Sequence, residues 1–279
     1  MQKIQIVTDS TAYFSKEDAD DLDIKVVSLS VHFEGETENE GFPGQFEAYY
    51  HKLKSSTEFP TTSQPSIETF EKVFGSALDK GMEVICLVIS SALSGTYNSA
   101  SAAARLTNPE KISIIDSRTS AANLKTLTRL AKDMAVAGMA RAEIVDSIEK
   151  QKERMSLTLT VDTLEYLKRG GRLTGAQALL GSLLNVKPIL ELVDGKLIPV
   201  AKVRGKVKAL NKMVEKVADD VTHITVCHIL NEEEAVDIRK RLQERFPKIK
   251  IGLDELGPVV GSHLGPKGMG ICSMSVIGS

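Results

Sequence analysis

Residues 84–96 read Val-Ile-Cys-Leu-Val-Ile-Ser-Ser-Ala-Leu-Ser-Gly-Thr, and this segment decides the fold. Val84–Ile89 is an uninterrupted apolar run, which is typical of a strand that a parallel sheet buries on both faces. Hydroxyl side chains follow at once in Ser90–Ser94, and Gly95 leads into a helix of small residues that runs to Leu106. A buried strand, a polar loop and a helix in this order indicate one unit of an α/β fold.

The same order recurs on both sides of this segment. Ile4–Thr8 is a short buried strand that ends in turn residues, and Ile112–Ile115 is another. A helix is predicted to follow the second of these over residues 120–136. Strands that alternate with helices in this way predict βαβ units and a parallel sheet in the first half of the chain.

Several connecting stretches are expected to lack regular structure. Ile24–Phe33 is predicted to be extended, and Gly35–Gly44 to be a polar, glycine-rich loop. Phe59–Ser66 places two prolines around hydroxyl residues, a pattern that excludes regular structure. Ser66 is then expected to cap a helix that runs to about Lys80.

The second half is more mixed. Strand patterns at 189–193 and 197–203 flank Asp194-Gly195, which is a strong signal for a hairpin. Short helices are predicted at 164–168 and 176–184. A hairpin within alternating strands and helices implies a mixed sheet.

The length of the chain favours two domains. Its 279 residues correspond to about two domains of ordinary size. The change from regular βα alternation to the mixed pattern places the boundary near Met155. We therefore expect one domain over residues 1–155 and a second over residues 156–279.

Composition excludes several classes of function. The net charge is −2 and aromatic residues make up 5% with no Trp, which argues against a nucleic-acid surface. Three scattered cysteines without a Cys-x-x-Cys pair indicate neither a disulfide framework nor a zinc site. No apolar run approaches the ~20 residues that cross a bilayer, and no signal peptide is evident. We expect a cytoplasmic protein.

Hydroxyl residues collect where the predicted strands end. In open α/β sheets, ligands bind outside the carboxyl ends of the strands. Ser94-Gly95-Thr96 opens a helix whose free N–H groups, with nearby hydroxyls, form a suitable site for a small anion. Plain helix capping explains any single one of these residues equally well.

A serine hydrolase is the main alternative. Ser94 would be its nucleophile and His263, in the glycine- and proline-rich turn 257–266, its base. The nucleophile elbow requires Gly-x-Ser-x-Gly, however, and Ala92 and Thr96 occupy the glycine positions. His263 can instead be a donor to an anion or a surface loop residue.

Two acids and a basic stretch are weaker candidates. Asp9 and Asp116 each follow a strand and could serve a metal or acid–base chemistry, but capping of the following turn is the favoured interpretation. Basic residues alternate from Lys202 to Lys208 and are typical of a solvated strand end, although they could also hold an anion.

Five motifs in order along the chain resemble those of the DegV family of bacterial lipid-binding proteins. They are Phe-Pro-Thr-Thr-Ser-Gln-Pro-Ser at 59–66, Ser-Ser-Ala-Leu-Ser-Gly-Thr-Tyr at 90–97, Leu-Glu-Tyr-Leu-Lys-Arg-Gly-Gly-Arg at 164–172, Leu-Asn-Val-Lys-Pro-Ile-Leu at 184–190 and His-Leu-Gly-Pro at 263–266. Their order and spacing cover essentially the whole chain, which makes the resemblance specific.

The resemblance implies a Rossmann-like three-layer α/β/α domain, a two-layer α/β domain with a mixed sheet, and a long-chain fatty acid in a tunnel between them. It assigns the fatty-acid carboxylate to Thr62, Ser94 and His263. Arg172 is expected at the surface where a partner docks. The residues expected to support the head group are Ser63, Gly95, Thr96 and Arg204.

The resemblance also implies the partners. An ATP-dependent fatty acid kinase would phosphorylate the bound acid to an acyl phosphate for phospholipid synthesis, so that this chain has no catalytic centre and no cofactor of its own. An acyltransferase or a membrane surface would be a further, transient contact. A carrier for another small acid, such as an isoprenoid or an acyl phosphate, is a third hypothesis.

Two positions depart from the family pattern. Lys267 follows the His-x-Gly-Pro motif where the family usually has glycine, which adds a charge near the predicted head group. Residues 121–124, Ala-Ala-Asn-Leu, replace a glycine-containing run. Side chains in place of glycine are expected to narrow the tunnel and so to affect the accepted chain length.

Overall fold

The computed structural model describes residues 3–172 and 186–277. The strands of the described residues are β1 (Ile4–Asp9), β2 (Ile24–Val27), β3 (Ser30–Phe33), β4 (Glu36–Asn39), β5 (Thr61–Ser63), β6 (Glu83–Val88), β7 (Ile112–Asp116), β8 (Met155–Thr160), β9 (Val186–Val193), β10 (Lys196–Arg204), β11 (His223–His228), β12 (Gly252–Glu255) and β13 (Met269–Met274). The helices are α1 (Lys16–Asp21), α2 (Glu47–Ser55), α3 (Ile67–Asp79), α4 (Thr96–Thr107), α5 (Ala121–Val136), α6 (Arg141–Gln151), α7 (Glu165–Arg169), α8 (Lys206–Glu215), α9 (Glu232–Arg245) and α10 (Pro258–Leu264).

The first half contains a parallel sheet between two layers of helices. Its strand order is β2-β1-β6-β7, and every pairing is parallel. Successive residues of a strand point to opposite faces, so Ile85 and Leu87 pack with α5 and α6 while Cys86 and Val88 pack with α3 and α4. This confirms the predicted three-layer arrangement, and it explains why the run from residue 84 is apolar throughout.

A mixed sheet dominates the second half. The strand order is β10-β9-β8-β13-β11-β12, with β11 and β12 parallel and the other pairs antiparallel. The β9–β10 hairpin turns at Asp194-Gly195, as predicted. Helices α8 and α9 cover one face. The other face packs against the first half, which makes this a two-layer α/β structure.

A third, three-stranded sheet was not predicted. Its order is β4-β3-β5, and all pairs are antiparallel. The prediction that Phe59–Ser66 excludes regular structure was wrong, because Pro60 and Pro65 flank β5 and neither removes a donor from it. The expected loop Gly35–Gly44 likewise contains β4.

Helix starts largely follow the capping predictions. The Ser66 hydroxyl accepts from the Thr69 N–H at 3.2 Å at the start of α3. Asp9 accepts from the Thr11 N–H at 2.9 Å, which is the favoured capping role. The expected turn at 257–266 contains helix α10, which begins at Pro258 and ends at Leu264, just before Gly265 with φ +73°.

Some predictions are left open by the described residues. The helix predicted at 176–184 and the first two residues of the motif at 184–190 lie outside them. Strand β8 begins at Met155, but the division of the chain into two domains at that residue stays a prediction. None of the described helices is long and apolar enough to cross a membrane.

Candidate functional site

An apolar cavity lies between the two halves of the molecule. It contains about 800 Å³ of space between atoms, including its open mouth. Little of that space is wide enough for a water molecule, so the cavity is a narrow slot. The described residues that line it are Leu29, Ile89, Leu93, Ser94, Ser120, Ala121, Leu157, Leu159, Leu167, Arg172, Leu192, Leu197, Cys227, Leu256, Val259, Val260, His263, Leu264, Gly270 and Cys272.

The structure joins two of the predicted carboxylate ligands directly. His263 Nε2 lies 2.7 Å from Thr62 Oγ1. Thr62 is the middle residue of β5, which pairs with β3, and His263 lies in the last turn of α10. The hydrogen bond therefore connects the small sheet of the first half to a helix of the second half. Its direction depends on which ring nitrogen carries the proton.

His263 is held in an environment that favours its neutral form. Burial, with a smaller contribution from the positive charge of Arg172, lowers the pKa of His263 to about 4. Its Nδ1 is buried and has no hydrogen-bond partner among the described residues. Gly170 covers that nitrogen, and a Cβ atom at position 170 would collide with it. The glycine of the Gly-Gly-Arg motif is thus required for the histidine ring to fit.

Ser94 is placed on the cavity wall by the loop between β6 and α4. Its N–H donates to the Ser90 carbonyl at 3.1 Å, and its Oγ lies 2.9 Å from Thr96 Oγ1. Gly95 precedes the first residue of α4 and packs against the side-chain amide of Gln64. Ser94 and His263 line the same cavity, with Thr62 bonded behind His263.

Arg172 is half-buried and lines the cavity. Its expected place at a partner-docking surface stays a prediction. Its Nη1 donates to the Gly170 carbonyl at 2.6 Å and its Nε to the Leu93 carbonyl at 3.0 Å. These two bonds pull the guanidinium inward, between the loop that carries Ser94 and the turn that covers His263.

Five of the predicted site residues are not among those that line the cavity, namely Thr62, Ser63, Gly95, Thr96 and Arg204. Ser63 Oγ lies 2.9 Å from His32 Nε2, because alternation along β5 turns it away from the Thr62 side. Thr96 is buried beneath Ser94. Arg204 is exposed at the end of β10 and does not line the cavity.

The two departures from the family pattern have different placements. Ala121 lines the cavity and has φ +54°, a left-handed conformation that costs a residue with a Cβ atom ~1–2 kcal/mol. Lys267 is exposed and does not line the cavity. It stays a prediction that Ala121 narrows the tunnel and that Lys267 adds a charge near the head group.

Sequence reasoning missed the buried carboxyl group of Glu40. It accepts hydrogen bonds from the Ser10 hydroxyl at 2.6 Å and from the Val259 N–H at 2.8 Å, so it ties the first half to the start of α10. Burial, with a smaller contribution from the nearby Asp9, raises the pKa of Glu40 to about 7. Nothing in the local sequence marked Glu40, because it follows a run of exposed polar residues.

The geometry does not assemble a hydrolase centre from the described residues. Ser94 Oγ is bonded to Thr96, and the imidazole of His263 is bonded to Thr62. Catalytic serines usually bond to the base, which is oriented in turn by a third group at its other nitrogen. In the described part of the chain no cluster of His, Cys, Asp and Glu could hold a metal ion.

The chain matches known proteins along nearly its full length. The family model described as "Uncharacterised protein, DegV family" matches residues 3–276. A DegV domain-containing protein of Listeria innocua is 36% identical over 277 residues, which cover 97% of this chain and 98% of that protein. A DegV domain-containing protein of Staphylococcus aureus is 35% identical over 277 residues and 96% of both chains.

Solved structures with the same fold include proteins named for fatty acid binding. The DegV family protein of Thermus thermophilus, described by its fatty acid binding, has a TM-score of 0.90 at 30% identity and covers 98% of this chain and 100% of its own. DegV of Bacillus subtilis, a fatty acid binding protein, has a TM-score of 0.89 at 33% identity over 99% and 100%. A stearic acid-binding protein of Eubacterium ventriosum has a TM-score of 0.85 at 27% identity over 99% and 98%. By the family match and these identities, the chain belongs to the DegV family.

Proposed function

We propose that this chain binds one long-chain fatty acid, with the acyl chain in the cavity between the two halves and the carboxylate at Thr62, Ser94 and His263. The observation that carries the proposal is the apolar slot whose wall includes Ser94, His263 and Arg172. Family members of the same fold are named for binding fatty acids, which supports the same ligand class here.

The acyl chain would supply most of the affinity. Burial of each CH₂ group contributes about 0.8 kcal/mol, so a chain of ordinary length gains more than a few hydrogen bonds can. The narrow slot implies that leucine side chains such as Leu157, Leu192 and Leu197 change rotamer when the chain enters. Because that costs part of the gain, the affinity would be well below the sum over methylene groups.

The head-group residues would fix the orientation of the ligand. Ser94 can donate one hydrogen bond to a carboxylate, and the Thr62–His263 pair can donate another. His263 is neutral at pH 7 because its pKa is lowered to about 4, so Arg172 is the cation that compensates the carboxylate charge. Ser63, Gly95, Thr96 and Arg204 would act from further away.

We further propose that the chain presents the carboxylate to an ATP-dependent kinase. A carboxylate oxygen would attack the γ-phosphorus of ATP, the bond to the ADP oxygen would break, and the products would be acyl phosphate and ADP. The family resemblance supports this step, and Arg172 is the residue proposed for docking. Transient contact with an acyltransferase or a membrane surface would follow from handling an acyl phosphate.

Mass spectrometry of organic extracts from the purified chain tests the ligand. We expect a fatty acid of long chain length in the extract, and uptake of added palmitate or oleate after delipidation. A chain that yields no fatty acid and takes up neither would refute the proposal.

The kinase step and the hydrolase alternative have separate tests. Acyl phosphate trapped as a hydroxamate in the presence of ATP and a bacterial fatty acid kinase would support presentation, and Arg172→Ala should lower its rate more than it lowers lipid binding. Covalent labelling of Ser94 by an active-site serine probe would favour the hydrolase instead.

A further inference from the structure

Ser120 immediately precedes helix α5 but does not cap it. At the starts of α1 and α3, Ser15 and Ser66 accept a hydrogen bond from an N–H of the first turn, at 3.0 and 3.2 Å. The Ser120 side chain accepts no such bond. A serine in this position normally caps the helix, and Ser120 does not do so.

The hydroxyl group of Ser120 lies in the wall of the cavity. Ser120 is 6% exposed and lines the slot together with Ala121. Its Oγ is buried and has no hydrogen-bond partner in the described parts of the chain. A buried hydroxyl group without a partner is costly, and a ligand oxygen would remove that cost. Rotation about one side-chain torsion can turn Oγ toward the slot without a backbone change.

The surroundings of Ser120 favour a neutral oxygen over an anion. The same cavity is lined by the uncharged residues Ala121, Leu157 and Cys227. Among the described residues of its wall, Arg172 is charged and His263 can be protonated. The hydrogen bond to the Cys272 thiol, together with burial, raises the pKa of Cys227, so it carries no charge either, and its sulfur accepts from the Ala122 N–H. Burial of a charged carboxylate costs far more than burial of a hydroxyl or carbonyl group that is hydrogen-bonded. A hydroxyl or carbonyl group fits without that penalty.

We propose that Ser120 is a second polar subsite of the cavity, and that the chain accepts fatty acids with a hydroxyl or oxo group within the acyl chain. This inference rests on the proposed function. The carboxylate would stay at Thr62, Ser94 and His263, and the Ser120 hydroxyl group would bond to the oxygen along the chain. Ser120 would be a specificity-determining residue, since a purely apolar wall would reject such an oxygen.

Binding of a matched ligand panel to the full chain tests the subsite. The panel is stearate, 10-hydroxystearate, 12-hydroxystearate and 10-oxostearate, each titrated into the delipidated protein and into Ser120→Ala. For at least one oxygenated acid, we expect the unaltered chain to bind with an affinity within about threefold of its affinity for stearate. Ser120→Ala should bind that same acid about tenfold more weakly. Stearate itself should bind the variant as well as before or better.

Two controls separate the possible failures. Ser66→Ala removes a serine that does cap and lies away from the cavity, so it should lower the melting temperature without changing selectivity, whereas Ser120→Ala should leave the melting temperature nearly unchanged. If Ser120→Ala fails to fold, Ser120→Cys takes its place. Rejection of every oxygenated acid, or equal losses for all four ligands, would overturn the inference. Failure of stearate to bind the unaltered chain would refute the proposed function instead.

Discussion

Two buried polar groups tie the first half of the chain to helix α10, and they differ in how completely they are bonded. Glu40 bonds through both oxygens, to the Ser10 hydroxyl group and to the Val259 N–H. His263 bonds through Nε2 to Thr62, while its Nδ1 has no partner in the described residues. Buried polar groups normally have hydrogen-bond partners. Glu40 meets this expectation, so we assign it a role in stabilising the fold. His263 lies on the cavity wall with one nitrogen unbonded, so we assign it a role in binding.

Burial shifts the two groups in opposite directions on the pH scale. It raises the pKa of Glu40 to about 7 and lowers that of His263 to about 4. In both cases the charged form is disfavoured, since a dry environment penalises charge of either sign. The comparison predicts that substitution of Glu40 mainly lowers the free energy of unfolding. Substitution of His263 should mainly lower the affinity for the ligand.

The largest effect is expected for Glu40→Ala. The substitution leaves the Val259 N–H and the Ser10 hydroxyl group buried without their acceptor, which should lower the free energy of unfolding by about 2–4 kcal/mol. Urea denaturation measures the loss. Glu36→Ala is the control, because the Glu36 carboxylate is exposed and bonds to Lys52 at the surface, so the substitution should change the free energy of unfolding little. Equal stability of the two variants would contradict the role of Glu40 in the fold.

Glu40→Gln should alter how stability depends on pH. Between the ordinary pKa near 4.5 and the raised value of about 7, the unfolded chain loses its proton while the folded chain keeps it, so rising pH removes stability. Between pH 5 and 8, the free energy of unfolding should therefore decline by roughly 2 kcal/mol less in Glu40→Gln than in the parent chain. The His263 contribution runs the other way, since stability falls as pH falls from 6.5 toward about 4. Parallel profiles of variant and parent would show that Glu40 does not titrate in this range.

For His263→Ala we expect a smaller effect of a different kind. Fatty-acid affinity should fall about tenfold, equivalent to about 1.4 kcal/mol, because one donor to the carboxylate is lost while the acyl chain stays buried. The free energy of unfolding should change less than in Glu40→Ala. Titration calorimetry with palmitate measures the affinity, and His51→Ala on the exposed side of α2 is the control. Unaltered affinity would place the carboxylate elsewhere.

Ser94→Ala should weaken binding by about threefold. Ser94 bonds only to Thr96 and to the backbone in this loop, so the fold should persist and thermal denaturation should be nearly unchanged. Ser91→Ala, in the same loop but outside the cavity wall, is the matched control for binding. A loss of folding in Ser94→Ala would show that this serine acts as a helix cap alone.

The smallest expected effect is a change in the pKa of His263 when Arg172 is replaced. Its charge is the second cause of the lowered pKa of His263, after burial. In Arg172→Gln the pKa of His263 should therefore rise, but stay below its ordinary value of 6.5 because the ring remains buried. An NMR titration of the imidazole measures this. An unchanged pKa would show that the guanidinium does not act on His263.

The buried parallel strands and the hairpin could be predicted from the sequence because each has a local cause. Val84–Ile89 is apolar throughout since both of its faces are covered, and Asp194-Gly195 supplies the backbone conformations that a tight turn needs. The small sheet could not be predicted, because β4 is exposed along its whole length and β5 has only three residues. Its pairing depends on β3, which no local pattern shows.

Residues of the candidate site could be predicted where a sequence motif marked them. They could not be predicted where contacts between distant parts of the chain determine their position. Thr62 and His263 were proposed from the resemblance, and the structure brings them together across 201 positions. The bond of Arg172 to the Leu93 carbonyl could not be predicted, because it depends on how the halves meet. Glu40 was missed for the same reason, as its partner Val259 lies 219 positions away.

A crystal structure of the chain with a fatty acid brominated at its terminal carbon tests the central claim most directly. The account predicts a carboxylate within hydrogen-bond distance of Ser94 and of the Thr62–His263 pair. It also predicts that the anomalous signal of bromine lies deep in the cavity, among residues such as Leu159 and Cys272. Bromine at the protein surface, or a carboxylate remote from all three side chains, would contradict it.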